Sequence, residues 1–307
     1  MSRKTYRLKV VDPVGDLRLD QFIANEIGEL SRAMARKVID FGGVHVDGRR
    51  VGRCSFPVKA GQQIEVYLDG MPLIVAELGP GDILFRDPYL LAINKTAGID
   101  FQPTHARYKG TVYETILRYL GSGSGRKAPQ VGMVQRLDRD TSGVALFSVH
   151  PAAHRGLTKL FSEHKVRKKY LALIGGRLPD REGTFRSLLA RQHRTNLMKS
   201  VDRGGKEGIT SYRVREELEG ASLVEVEIPT GRSHQIRVHF SEAGCPLLGD
   251  TRYGGVDRVA ETVIPRHMLH ALSLELVHPV TRENLALTAP LPADMLKVIR
   301  ELQKESG

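Results

Sequence analysis

The chain has very little cysteine. Cys54 and Cys245 stand alone among 307 residues, too few and too far apart for a disulfide framework or a cysteine-based metal site. Both read as small buried hydrophobes, which suits a reducing, cytoplasmic setting. No apolar run approaches the length that spans a bilayer. The opening Met-Ser-Arg-Lys-Thr-Tyr-Arg-Leu-Lys also lacks the apolar stretch of a signal peptide. Long low-complexity tracts are missing too, and 41% hydrophobic residues over this length predict a folded chain of two domains with a sizeable core. There is no phosphate-loop or dinucleotide glycine pattern, which argues against a nucleotide cofactor. The last shortage is acid. Lys and Arg total 46 against 35 Asp and Glu, a net charge of +11, and that excess points to a polyanionic partner such as nucleic acid or an anionic surface.

What is present begins with two short helices. Leu19, Phe22, Ile23 and Ile27 recur at helical spacing up to Gly28, and Ser31 suits the N-cap of a second helix over 32–41. On that helix Met34, Val38 and Phe41 face inward, leaving Arg32, Arg36 and Lys37 exposed. A hairpin over 44–51 turns at Asp47-Gly48, a strand follows at 63–68, and 8–11 supplies a lead-in strand. Residues 1–68 thus form a small α/β domain. The helix arginines, with Arg49, Arg50 and Arg53, suit phosphates along an RNA helix, although an ordinary solvated face has the same composition. Residues 69–81, with Gly70, Pro72, Gly79, Pro80 and Gly81, read as a linker, and 82–307 as a second domain.

The densest chemistry lies at 134–144, Val-Gln-Arg-Leu-Asp-Arg-Asp-Thr-Ser-Gly-Val. Apolar runs at 131–134 and 144–147 flank it with the length of short buried strands. Taken alone, such a charged loop is more often a solvated turn than a site. The stretch Arg136-Leu137-Asp138-Arg139-Asp140-Thr141-Ser142-Gly143, however, resembles the signature of the RluA-type RNA pseudouridine synthases over eight consecutive residues. The resemblance implies that Asp138 is the catalytic aspartate. Gln135 stands where that family usually has histidine, keeping a hydrogen-bonding side chain but losing the titratable ring.

Further stretches resemble the same family in order. Residues 90–99 match its first motif, with Thr96 where proline is usual, a change expected to loosen the turn slightly. Residues 166–174 match a Tyr-x-Ala motif whose tyrosine, here Tyr170, packs against the target uracil; by itself, a tyrosine opening a strand is more often core. Arg167, Lys168 and Lys169 beside it form a basic run suited to RNA, and 186–206 reads as a basic hairpin arm. The Gly/Ser-rich stretch 121–127 reads as a plain flexible connection.

Residues 230–239, Thr-Gly-Arg-Ser-His-Gln-Ile-Arg-Val-His, should open a helix near Ser233. The resemblance implies that Arg237 pairs with Asp138, with Ile236 and Arg136 supporting the site. His234 and His239 have no carboxylate or cysteine nearby to complete a ligand set, so no metal is expected. Residues 249–255, 267–271, 278–279 and 289–292 also resemble the family, and His270 and His278 read as structural. More diffusely, 17–68 resembles the alpha-L RNA-binding motif first named for a ribosomal small-subunit protein, through Arg18-Leu19-Asp20, Ser31-Arg32, Ile39, 43–48 and 61–64.

These readings predict an α+β protein: a small α/β RNA-binding domain, then a pseudouridine-synthase catalytic domain with a mainly antiparallel mixed β-sheet flanked by helices. The implied reaction is an intramolecular isomerisation of uridine that needs no cofactor. Its partner would be RNA, with large-subunit ribosomal RNA favoured and transfer RNA the alternative, and no membrane is expected as partner. Two other classes compete. One is a non-catalytic RNA-binding or ribosome-assembly factor on the same fold. The other is a glycosidic-bond hydrolase, which needs a second acid, and only Asp140 is near.

Overall fold

A computed structural model describes residues 3–11, 17–121, 129–192 and 194–304. The expected connection at 121–127 lies, beyond Gly121, outside these residues. The chain divides into two compact units, the first of residues 1–78 and 99–129, the second of 79–98 and 130–307. This division differs from the expected boundaries: part of the expected linker, 69–78, and a stretch expected in the second domain, 99–129, belong with the N-terminal unit. The cause is specific polar docking. Buried Arg107 donates to the Asp69 carboxylate at 2.8 Å and to the Pro72 carbonyl at 3.2 Å, and Thr115 Oγ1 donates to the Ala76 carbonyl at 3.3 Å. A Pro/Gly-rich strip read by composition alone hides such contacts.

In the first unit, helices Leu19–Glu26 and Arg32–Phe41 share a core with a four-stranded antiparallel sheet ordered Lys4–Lys9, Gln63–Leu68, Val44–Val46, Arg49–Arg50. Ser31 caps the second helix, its Oγ accepting the Met34 N–H at 3.2 Å, which satisfies one of the donors a helix leaves free at its start. The inward side of that helix is Ala35, Val38, Ile39 and Phe41, with Met34 half-buried.

The second unit is built on one large sheet. Its strands run in the order Met198–Val201, Glu182–Arg191, Lys206–Leu218, Ala221–Glu227, Arg167–Gly175, Leu269–Val277, Ser142–Ser148, Leu90–Lys95, Ile83–Arg86. Pairing is antiparallel except where His270 and Ala271 run parallel to Ser142 and Gly143, so the sheet is mixed. Every residue of Ser142–Ser148 is buried, as a strand covered on both faces requires. Gly143 is essential to that pairing. Its φ is +111°, and a Cβ there would lie 2.2 Å from the Ala271 carbonyl oxygen, so only glycine lets the two strands approach as the chain leaves the 134–141 loop. The run before the loop is a strand only at Gly132–Met133, half-buried, because the chain then leaves the sheet.

Helix Pro151–Ser162 packs Ala153 and Leu157 against Leu90, Val144 and Leu146. Helix Ala293–Lys304 packs Met295, Val298 and Leu302 against Leu171 and Leu173. Helix Gln235–Glu242 starts two residues later than expected because His234 takes a left-handed conformation, φ +52°. Among the described residues no helix is long and apolar enough to cross a membrane.

Candidate active site

The 134–141 loop is held from several sides. Lys95 ends its strand almost completely buried, and its Nζ donates to the carbonyls of Thr96 (3.0 Å), Arg139 (2.7 Å) and Thr141 (2.9 Å), with Asp138 O at 3.4 Å. An ammonium out of water must satisfy its protons, and the carbonyls that do so belong largely to this loop. The Gly98 N–H donates to Arg139 O at 3.0 Å, and Arg266 Nη1 donates to Asp140 O at 2.9 Å. Thr141 Oγ1 bonds His267 Nε2 at 2.9 Å. Burial pushes the His267 imidazole down to about 4, with Arg237 adding to the fall, so it is neutral near pH 7.

Asp138 projects from this loop with 27% of its side chain exposed. Its Oδ2 accepts from Arg237 Nη1 at 2.8 Å, and its Oδ1 lies 3.8 Å from His234 Nε2. Burial raises the Asp138 pKa, but His234 and Arg237 outweigh that and leave it below the ordinary carboxylate value. Near neutrality burial keeps the His234 imidazole uncharged, against the opposing pull of Asp138.

Arg237 is buried and shared between two acids. Its Nε and Nη2 meet the Asp250 carboxylate at 2.6 and 2.7 Å, and its guanidinium lies 4.9 Å from the centre of the Tyr253 ring. Burial works against its charge, but Asp250 and Asp138 more than restore it and raise its pKa. This is the planar, bidentate pairing that arginine makes and lysine cannot. Asp250 is held by Gly249, whose φ is +76° and whose added Cβ would lie 1.8 Å from the Arg266 carbonyl oxygen.

A narrow cleft of about 60 Å³ opens beside this pair. Arg136 and Asp138 from one stretch, Tyr170 from a second, and Ile236 and Arg237 from a third all line it. Tyr170 is buried beside Asp138, and both burial and that carboxylate push its hydroxyl pKa up, so it stays protonated. Arg136 is exposed and Ile236 buried. Ile228, Leu269 and Arg232 also line the cleft and were not singled out from sequence, and His234, weighed there only as a metal ligand, lines it too. Neither Lys95 nor Asp250 had been given a role, though both stand in stretches with a family resemblance; a charged residue inside an apolar run, as Lys95 is, was the available signal. Asp140 pairs with Arg139 at 3.6 Å and does not line the cleft, so among the described residues no second acid lines it with Asp138 as a hydrolase would need. Gln135 donates to the Val144 carbonyl at 3.3 Å, a bracing contact. Among the described residues no group of three or more His, Cys, Asp or Glu could hold a metal. His270 lies in the core, bonded to Ser142 Oγ at 2.9 Å.

The expected RNA contacts divide. In the first unit Arg32, Arg36, Lys37 and Arg49 are exposed. Arg18, Arg32 and Arg36 converge on the fully buried Asp20, at 2.9, 3.2 and 3.7 Å. Arg50 departs from the expectation: it is half-buried, donates to the Thr104 carbonyl and stacks over Tyr108, and burial lowers its pKa. In the second unit the run 167–169 is not one basic patch, because alternation along a strand sends its members to opposite faces. Arg167 pairs with Glu227 at 3.0 Å and Lys169 with Glu225 at 3.1 Å. Lys168 faces the other way, is buried, and donates to Pro229 O at 3.3 Å; burial and neighbouring Arg232 bring its pKa to about 8.

Residues 89–242 match the family model described as RNA pseudouridylate synthase, and 17–64 match the S4 domain. An uncharacterized RNA pseudouridine synthase of Chloroflexus aurantiacus is 38% identical over 305 residues, covering 98% of this chain and 95% of that one. Ribosomal large subunit pseudouridine synthase D of Nitrosomonas europaea is 34% identical, covering 99% and 91%. Among solved structures, human RNA Pseudouridylate Synthase Domain Containing 4 superposes with a TM-score of 0.60 at 25% identity, covering 72% of this chain and 92% of its own. An S4 domain followed by a mixed-sheet domain of this kind, matched over nearly its whole length, makes the chain a member of the RNA pseudouridylate synthase family.

Proposed function

We propose that this RNA pseudouridine synthase isomerises uridines of large-subunit ribosomal RNA, with Asp138 as its catalytic carboxylate. One observation carries the reading: an ionised Asp138, fixed by buried Arg237, opens into a cleft walled by Tyr170. The reaction breaks the bond between uracil N1 and ribose C1′, turns the base, and joins C1′ to C5. N1 gains a proton and C5 loses one, so the product has the same composition as the substrate and nothing is oxidised. A carboxylate held against the sugar or base can serve as nucleophile at C1′ or as base, and both roles need the charged form that Arg237 secures. Tyr170 offers a flat, uncharged wall for the detached uracil.

A stacked uridine must leave its helix to reach the cleft, at a cost of a few kcal/mol. Phosphate contacts by Arg32, Arg36, Lys37 and Arg49 offset that cost. Ribosomal RNA is favoured because a relative named for the large subunit aligns over 99% of this chain. Its isolated thiols, one half-buried and one buried, suit a cytoplasmic enzyme.

The test compares a strain lacking the protein with one carrying Asp138→Ala, mapping pseudouridines in ribosomal and transfer RNA by chemical labelling and mass spectrometry. The same ribosomal uridine should stay unmodified in both and be restored by wild-type protein. A missing transfer-RNA site would move the substrate. If Asp138→Ala leaves every pseudouridine in place, the catalytic assignment is wrong.

A further inference from the structure

His234 stands over the free side of Asp138 in a conformation that L-residues adopt rarely, φ +52°. Strained backbone of this kind gathers where a side chain must be aimed. Its aim is visible. His234 Nδ1 lies 2.8 Å from Tyr253 Oη, and the same oxygen accepts the Met198 N–H at 3.0 Å. A phenol has one proton to give. In the arrangement in which the Tyr253 hydroxyl both accepts from Met198 and donates, its proton goes to Nδ1. The ring hydrogen therefore sits on Nε2, which faces Asp138 Oδ1 at 3.8 Å. That spacing is too long for a hydrogen bond, so Oδ1 keeps its lone pairs for the cleft while Oδ2 is held by Arg237.

We propose that His234 is a positioning residue for the reaction: a neutral imidazole, its tautomer set by Tyr253, keeps an Nε2–H dipole 3.8 Å from Asp138 Oδ1, walls that side of the carboxylate and leaves Oδ1 to the uridine without accepting a proton. The inference rests on reading Asp138 as the catalytic carboxylate. Protonation would undo the arrangement, because an imidazolium would close on Oδ1 as an ion pair and occupy the oxygen the substrate needs. The groups that face the ring are Asp138, Arg237, Asp250, Arg252 and Tyr253. Burial, Arg237 and Arg252 favour the neutral ring, while Asp138 and Asp250 favour the charged one, with the balance toward neutral.

The experiment measures single-turnover release of tritium from C5 of uridine-labelled total RNA, taken from a strain lacking the protein, with enzyme in excess. Wild type, His234→Ala, His234→Gln, Tyr253→Phe and Asp138→Asn are compared from about pH 5 to pH 9, with a thermal melt of each. His234→Ala should slow the step about 10- to 100-fold while the enzyme concentration at half-saturation moves less than about threefold. His234→Gln, whose amide donates at a similar reach and does not titrate, should recover most of the rate and lose the acid limb. Tyr253→Phe removes the donor that favours the neutral ring, so its acid limb should shift to higher pH. Wild-type rates in His234→Ala would overturn the proposal. So would equal slowing in His234→Ala and His234→Gln with the wild-type acid limb intact, since that is how a merely structural side chain behaves. Asp138→Asn separates the two readings. If it is active, the carboxylate assignment fails; if it is dead beside a normal His234→Ala, only His234 does.

Discussion

The cleft and the N-terminal helices solve one problem with opposite stoichiometry. In the cleft one buried guanidinium, Arg237, is shared by two carboxylates, Asp138 and Asp250. In the first unit one buried carboxylate, Asp20, is shared by three guanidiniums, Arg18, Arg32 and Arg36. Each group closes a charge that would be costly to bury alone, and each leaves a surplus of one sign partly exposed. Asp138 keeps an oxygen turned to the cleft. Arg32 and Arg36, about half exposed, keep donors turned to solvent. The ion pair is thus a way to aim the charge that is left over, as much as a source of stability.

The sharpest way to break this comparison is Arg237→Lys. Lysine keeps the charge but cannot bridge two carboxylates in one plane. The single-turnover rate should fall about 10²- to 10³-fold, and thermal melts should show a loss of about 3–5 kcal/mol from leaving Asp250 buried without its partner. Wild-type melting would mean that the shared guanidinium is dispensable. Next in size is Lys95→Met, which leaves loop carbonyls without a donor. We expect about 2–4 kcal/mol lost in denaturant melts and a rate about tenfold lower as Asp138 loses its fixed base.

The smallest effect falls on the other half of the comparison. Asp20→Asn should cost about 1–2 kcal/mol, because the arginines around it are half-solvated. Burial alone would raise the Asp20 carboxyl, yet Arg18 and Arg32 hold it below its ordinary value. Its contribution is therefore present above the unfolded carboxylate pKa and lost as pH falls through the lower folded one. The gap between wild-type and Asp20→Asn melting temperatures should begin to narrow below about pH 4 and close only at lower pH, past the folded carboxyl's titration. RNA affinity, read by filter binding, should drop about threefold at most, since the cationic charge remains.

Much of the cleft could be read in advance. Asp138 lies in an unbroken eight-residue motif, and Arg237 and Ile236 in another, so their types and spacings stand in plain sequence. Secondary structure followed wherever periodicity was strong: Arg32–Phe41 kept its Ser31 cap, and Gln63–Leu68 its alternation. Orientation was harder. Arg167, Lys168 and Lys169 look alike as letters, yet two meet glutamates across a strand pair and the third is buried behind them. Arg50 looked like a surface cation and lies over Tyr108. Such outcomes depend on partners dozens of residues away.

By itself, then, the sequence determined most of the elements, the basic excess and the candidate site groups, because hydrophobic period, turn residues and contiguous motifs are local properties of a chain. Tertiary structure alone decided that Lys95 pins the loop of Asp138, that Asp250 holds Arg237 from behind, and that 99–129 packs with the N-terminal unit. The physical reason is common to all three. A buried charge must find its partners wherever the fold brings them, and sequence separation carries no record of that distance.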